Sequence, residues 1–236
     1  MRIPINVQDY VDLINDGIPF AQANYGDGEW ACILGMSGQN CNGERYTPLV
    51  QEALIDTIQN PPPGHMWYGS NGGKKLEPTI RGWLLDRGLT QRAWVYKEII
   101  SGANVNGKLK PFIEAVRRRR TILVGPDHLH NEELMKIWGI KGFAKVPTAD
   151  AMLAFDRTWD RTLGMVNEYD AEVALVCSGM AANPLITKLA RHKTMTVIDM
   201  GATLDPYAGV FSRSGYRKDA FQKTAYAKNI EGLIQT

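Results

Sequence analysis

Residues 171–201, "AEVALVCSGMAANPLITKLARHKTMTVIDMG", decide the fold. "AEVALVCSG" (171–179) is an apolar run of strand length ending in glycine, and "NPLITKLARH" (183–192) follows with helical spacing of its apolar residues. "TMTVIDMG" (194–201) is again a short apolar strand closed by glycine. A strand, a helix and a second buried strand make a βαβ unit, and such units build parallel sheets. The pattern extends upstream. "RAWVYKEII" (92–100) begins as a strand, "NGKLKPFIEAVRRR" (106–119) is an amphipathic helix, and "TILVGP" (121–126) is a buried strand ending in Gly-Pro. "NEELMKIWG" (131–139) reads as a helix with Asn131 as its N-cap. "GFAKVPTADA" (142–151) reads as a strand stopped at Pro147, and 149–168 as a helix.

A parallel sheet binds ligands beyond the carboxyl ends of its strands. Three glycine turns land there: VGP (124–126), CSGMA (177–181) and DMG (199–201). One such turn is ordinary βα chemistry, whereas three on one sheet edge point to a nucleotide or phosphate site. None completes GxGxxG or GxxxxGK[ST], which disfavours dinucleotide enzymes and P-loop kinases.

The N-terminal part holds a helix over 6–17, a strand over 18–24 and a helix over 47–60 with Pro48 in its first turn. Between them lies "YGDGEW" (25–30), expected as a sharp acidic turn with apolar strand on both sides. Glycines 26 and 28 would let Asp27 and Glu29 converge, which suits a hard divalent cation; a solvated Asp-Gly turn explains the spacing equally well. "NPPPGHMWYGSNGGKK" (60–75) is rich in proline and glycine and is expected to be an irregular connection, a flap that lends Trp67 or Tyr68 to an acceptor. It would divide one domain, 1–236, into an N-terminal portion (1–75) and a βαβ portion (76–236).

Composition bounds the rest. The chain has 236 residues, 44% hydrophobic and 22% charged, enough to bury a core without disulfides or metals as staples. A net charge of +2 does not by itself imply a polyanion partner. Cys32, Cys41 and Cys177 form no CxxC and read as reduced thiols of a cytoplasmic protein. No apolar run of 18 residues is present, so no membrane span is expected. The arginines at 117–120 read as a solvated helix end, though a DNA acceptor would also want such a patch.

Five segments, in order, resemble the GT-D fold glycosyltransferases. "ANYGDGEW" resembles that family's Asp-x-Glu metal motif, and "TILVGP" its central strand-glycine motif. "VPTADAML" is similar to its Pro-x-x-x-Ala segment, "ALVCSGMAANPLITKLA" to its strand-turn-helix, and "VIDMGATLDPY" to its Asp-x-Gly end. The resemblance implies a Rossmann-like, mostly parallel sheet flanked by helices, and a glycosyltransferase that uses a nucleotide diphosphate sugar, expected as a UDP-sugar. It implies Mn²⁺ or Mg²⁺ held by Asp27 and Glu29, with Gly26, Gly28, Gly125, Pro126, Ser178, Gly179 and Asp199 lining the donor cleft. Asp127 and His128, directly after VGP, are the candidate acid–base residues, followed by Asp150 and Asp205. The acceptor is expected to be a glycan hydroxyl, with a hydroxymethylated DNA base as the alternative. A non-catalytic nucleotide-binding module is the competing function. The sequence departs from the family at Asn24 (arginine there), Met180-Ala181 (Pro-Thr there) and Ala202 (histidine there), which removes a phosphate contact, a hydroxyl and an imidazole.

Overall fold

A computed structural model describes residues 2–41 and 43–233. Among the described residues seven strands form one sheet: β1 (Ala21–Tyr25), β2 (Met66–Ser70), β3 (Trp94–Tyr96), β4 (Thr121–Gly125), β5 (Ile140–Lys145), β6 (Val173–Val176) and β7 (Thr196–Asp199). Their order across the sheet is β3-β2-β1-β7-β6-β4-β5, with every pairing parallel. The helices are α1 (Val7–Asn15), α2 (Asp27–Ile33), α3 (Pro48–Gln59), α4 (Gly73–Asp86), α5 (Ile99–Val105), α6 (Lys110–Arg117), α7 (Glu132–Trp138), α8 (Phe155–Glu168), α9 (Ala182–His192) and α10 (Tyr226–Ile230).

Alternation along the strands separates two cores. Ile122, Val124, Ala174, Val176, Met66 and Tyr68 face one layer of helices with Leu54, Leu185 and Leu189. Leu123, Val173, Leu175 and Trp67 face the other, with Tyr10, Phe112 and Trp138. Side chains of successive strand residues point to opposite faces, so a sheet covered on both sides needs apolar residues at every position. That is why β4 and β6 read as unbroken apolar runs. Strand order reverses between β1 and β7, which pair through Ala21↔Val197 and Gln22↔Ile198. Such a switch point opens a crevice at the strands' carboxyl ends.

Three expectations need correction. The GDGE segment is not a turn between strands: it opens α2, with Gly26 as N-cap in extended conformation. Residues 60–75 are not a flap. They contain β2, an inner strand between β1 and β3, and the start of α4. The prolines at 61–63 precede the strand rather than occupying it, so the ladder keeps its donors. Trp67 and Tyr68 are 2% and 1% exposed, which makes them core residues. Boundaries also move after β4: β5 begins at Ile140, and a 3₁₀ segment, Ala151–Ala154, precedes α8. The caps follow their residues. Asn131 Oδ1 accepts the Leu134 N–H (3.0 Å) and Thr47 Oγ1 that of Val50 (3.3 Å).

Candidate functional site

The crevice at the switch point is built around the acidic helix start. Glu29 is the third residue of α2, and its Oε2 accepts the Gly26 N–H (2.8 Å), satisfying a donor at the helix entrance. Asp27 is the first residue of α2, and its Oδ1 accepts the Gly28 N–H (3.1 Å). Acids in a first turn also meet the positive end of the helix dipole. The flanking glycines serve space rather than a bend. A Cβ at Gly26 would stand 2.5 Å from Lys97 Nζ and 3.1 Å from Glu29 Oε2, and one at Gly28 would stand 2.9 Å from Asn40 Cβ. Neither glycine has positive φ. Burial holds the Glu29 carboxyl above the usual carboxylate range, while Asp27 is exposed.

Asp199, the last residue of β7, supplies a third carboxylate. Its Oδ2 accepts the Asn24 N–H (3.2 Å) and its Oδ1 the Gly201 N–H (2.9 Å), while Asn24 Nδ2 donates to the Asp199 carbonyl (2.9 Å). These bonds tie β1 to β7 beyond the last paired residues. Burial raises the Asp199 pKa to about 7, with the Glu29 charge pushing the same way and the two N–H groups and Lys97 opposing.

The turns after β4 and β6 complete the wall. Pro126, Ser178 and Gly179 line the crevice. Gly125, expected there too, is not part of the lining; a Cβ on it would stand 2.8 Å from Leu129 Cδ1. The two candidate acid–base residues part company. Asp127 is outside the crevice lining, its Oδ1 3.0 Å from Lys145 Nζ. His128 lines the crevice, with Nε2 3.1 Å from Asp205 Oδ1, and the Ser212 hydroxyl donates to the other Asp205 oxygen. A carboxylate only accepts, so Nε2 carries the proton of this contact, and in the neutral imidazole Nδ1 is the acceptor.

At CSGMA, Gly179 adopts φ +56°, and a Cβ there would collide with the Glu44 carboxylate. Glu44 Oε2 accepts the Met180 N–H (2.9 Å) and an Asn40 amide N–H (2.6 Å), so this turn's amide is engaged inside the protein. Burial raises the Glu44 pKa. The Ser178 hydroxyl is buried with no hydrogen-bond partner among the described residues.

Together these walls enclose about 1270 Å³. Asp27, Glu29, Asp199, Lys97, His128 and Asp205 all line it; Trp67 and Tyr68 do not. Asp150 is paired with Arg45 (2.8 Å), and His130 stacks on Phe143 with ring centroids 4.8 Å apart. The arginine cluster lies at the opposite, amino end of β4. Arg117 donates to the carbonyls of Lys136 and Ile137, Arg119 to that of Asn15, and Arg120 pairs with Asp170 and Glu172. No group of three His, Cys, Asp or Glu side chains among the described residues forms a ready metal cage. Mg²⁺ and Mn²⁺ do not require one: they commonly take one or two carboxylates, waters and substrate phosphates. Asp27, whose Oδ2 takes no hydrogen bond among the described residues, and Glu29 fit that oxygen chemistry.

The model of the GT-D fold-like domain matches residues 74–207, more than half of the chain. The chain belongs to the GT-D fold-like family. Two solved structures share the fold of this chain. One is a glycosyltransferase from Streptococcus sanguinis, 12% identical, covering 94% of this chain and 87% of its own at a TM-score of 0.62. The other, domain of unknown function 1792, is described as a distinct glycosyltransferase fold; it is 14% identical, covers 96% and 89% respectively, and has a TM-score of 0.62. No curated protein matches the chain. Asp27 and Glu29 lie before the matched GT-D fold-like span, so only the sheet brings them to it.

In this GT-D fold-like chain, Lys97, Glu44 and Ser212 carry no motif and escape sequence reading. Only Lys97 has a usable signal, its place directly after the strand "WVY" at a carboxyl end. Among the described residues no helix is long and apolar enough to cross a membrane, and Cys32, Cys41 and Cys177 form no disulfide with one another.

Proposed function

We propose that this chain is a metal-dependent glycosyltransferase that moves a sugar from a nucleotide diphosphate donor to a hydroxyl of a glycan. The observation that carries this reading is the meeting of Asp27, Glu29 and Asp199 in one crevice at the switch point of a glycosyltransferase fold. Asp27 and Glu29 would hold Mn²⁺ or Mg²⁺, which as a Lewis acid stabilises a diphosphate leaving group. The unpartnered Ser178 hydroxyl is a further polar contact available to a donor.

The acceptor step falls to His128. The acceptor oxygen bonds to the anomeric carbon, the bond from that carbon to the diphosphate oxygen breaks, and the diphosphate departs with the electron pair. The acceptor proton passes to His128 Nδ1, while Asp205 fixes the tautomer and stabilises the imidazolium. This displacement inverts the anomeric carbon. Asp127, turned toward Lys145, has no part in it. The arginines that a DNA acceptor would use lie at the far sheet edge, so the glycan is the favoured acceptor.

Calorimetry with UDP, GDP and TDP, with and without Mn²⁺, tests the reading. One nucleotide should bind more tightly with Mn²⁺, and Asp27→Asn should abolish that gain without changing the fold, because Asp27 is exposed and bonds only its neighbour's N–H. Donor hydrolysis should follow the same nucleotide, and His128→Ala should slow transfer while leaving nucleotide affinity alone. Metal-independent binding with no hydrolysis of any donor would leave a non-catalytic nucleotide module instead.

A further inference from the structure

Lys97 lines the crevice where the first three strands end, as do Lys74, Lys75 and Arg213. Lys97 follows Tyr96, the last residue of β3, at the sheet edge, yet its side chain reaches across β2 toward β1. Gly69 makes that crossing possible. In register, Gly69 sits between Asn24 of β1 and Val95 of β3. A Cβ at Gly69 would collide with Asn24 Oδ1 and stand 2.9 Å from Lys97 Cβ. The gap in β2 is filled by the lysine stem on one side and the Asn24 amide on the other. The ammonium then arrives beside the start of α2, 2.5 Å from where a Gly26 Cβ would stand.

Among the described residues no hydrogen bond engages this ammonium. Among the described residues the acid closest to it is Glu98, with Oε1 at 3.8 Å, too long for a hydrogen bond. The Lys97 side chain is 25% exposed, so its donors reach the crevice. A lysine so placed is a point charge suited to a phosphate oxygen. Glu29 and Asp199 lie near enough to feel its charge, so a counter-ion role for those acids is the competing explanation.

We propose that Lys97 binds the donor's diphosphate directly, through its ammonium, independently of any metal. The proposal rests on the nucleotide-sugar reading of this crevice. A charge-assisted contact of this kind is worth roughly tenfold or more in affinity.

The test is calorimetry in EDTA with UDP, inorganic pyrophosphate and uridine. The proteins are wild type, Lys97→Met (which keeps an unbranched stem of similar length), Lys97→Gln and the double variant Lys97→Met with Glu29→Gln. Folding of each is checked by its melting temperature. Wild type should bind UDP and pyrophosphate without metal. Both single variants should lose about tenfold or more for these two ligands and nothing for uridine, and the double variant should stay weak. Unchanged UDP affinity in the single variants would overturn the proposal. So would equal loss of uridine, which indicates packing, or full recovery in the double variant, which indicates a counter-ion. Wild-type binding of UDP with Mn²⁺ but not in EDTA would remove the proposal and leave the donor reading standing. Binding in neither condition would remove both.

Discussion

Asp199→Asn should flatten the pH dependence of stability in the metal-free protein. Asp199 is 8% exposed, and burial lifts its pKa from 3.8 to about 7. Between these values the folded chain holds a proton that the unfolded chain has released. Folding is therefore favoured in full below about pH 4, and this contribution is lost as pH rises toward 7. A rise of roughly three pH units at about 1.4 kcal/mol each amounts to about 4 kcal/mol. The N–H groups of Asn24 and Gly201 are already counted in that balance, since they lower the pKa against the larger effect of burial. Asparagine cannot release a proton, so the variant should lack this decline. It should be the less stable protein at low pH, because one of its amide's faces is a donor set against an N–H that Asp199 accepts. Urea unfolding in EDTA at pH 4.5, 6 and 8, followed by tryptophan fluorescence, measures both proteins. Glu29 and Glu44 are also raised by burial and tilt both curves; Glu29 is coupled to Asp199, so the difference between the curves reports Asp199 together with that coupling. Parallel curves for variant and wild type would refute the reasoning.

Trp67→Ala should be a stability change and no more. The ring is buried against Phe20 (centroids 4.8 Å apart) and Tyr10 (6.1 Å), so its loss should cost about 3–5 kcal/mol and lower Tm by roughly 6–20 °C. Calorimetric nucleotide affinity at a temperature where the variant is folded should match wild type; a loss confined to acceptor use would restore the flap. Gly179→Val should destabilise by about 1–3 kcal/mol, through positive φ and collision with Glu44. Adding Glu44→Ala should relieve part of that loss in thermal melts; an unchanged Tm with lost UDP binding would instead make the turn a direct ligand contact.

Several features were legible in the chain because they rest on local chemistry. The runs at 121–126, 171–179 and 194–201 become β4, β6 and β7, since strands covered on both faces must be apolar throughout. Asn131 caps α7 through its own side chain, within reach of its own backbone. Asp27 and Glu29 were visible as a pair two residues apart, and the last residue of β7, Asp199, as the acid at a strand end. The segment "HMWYGS" was hidden by its proline and glycine neighbours, and α4 by Pro78 in its interior, a residue that usually ends helices. Pairing of β2 with β1 and β3 outweighs those signals, because burying Trp67 and Tyr68 stabilises more than the flanking residues cost. Only the tertiary structure decided that Asp127 turns to Lys145 while His128 meets Asp205, 77 residues away in sequence. It also decided that Glu44 occupies the amide after β6, and that a glycine in β2 admits Lys97 to the crevice. Such meetings depend on strand order and register, and these follow from which faces can be buried together, a property of the whole sheet.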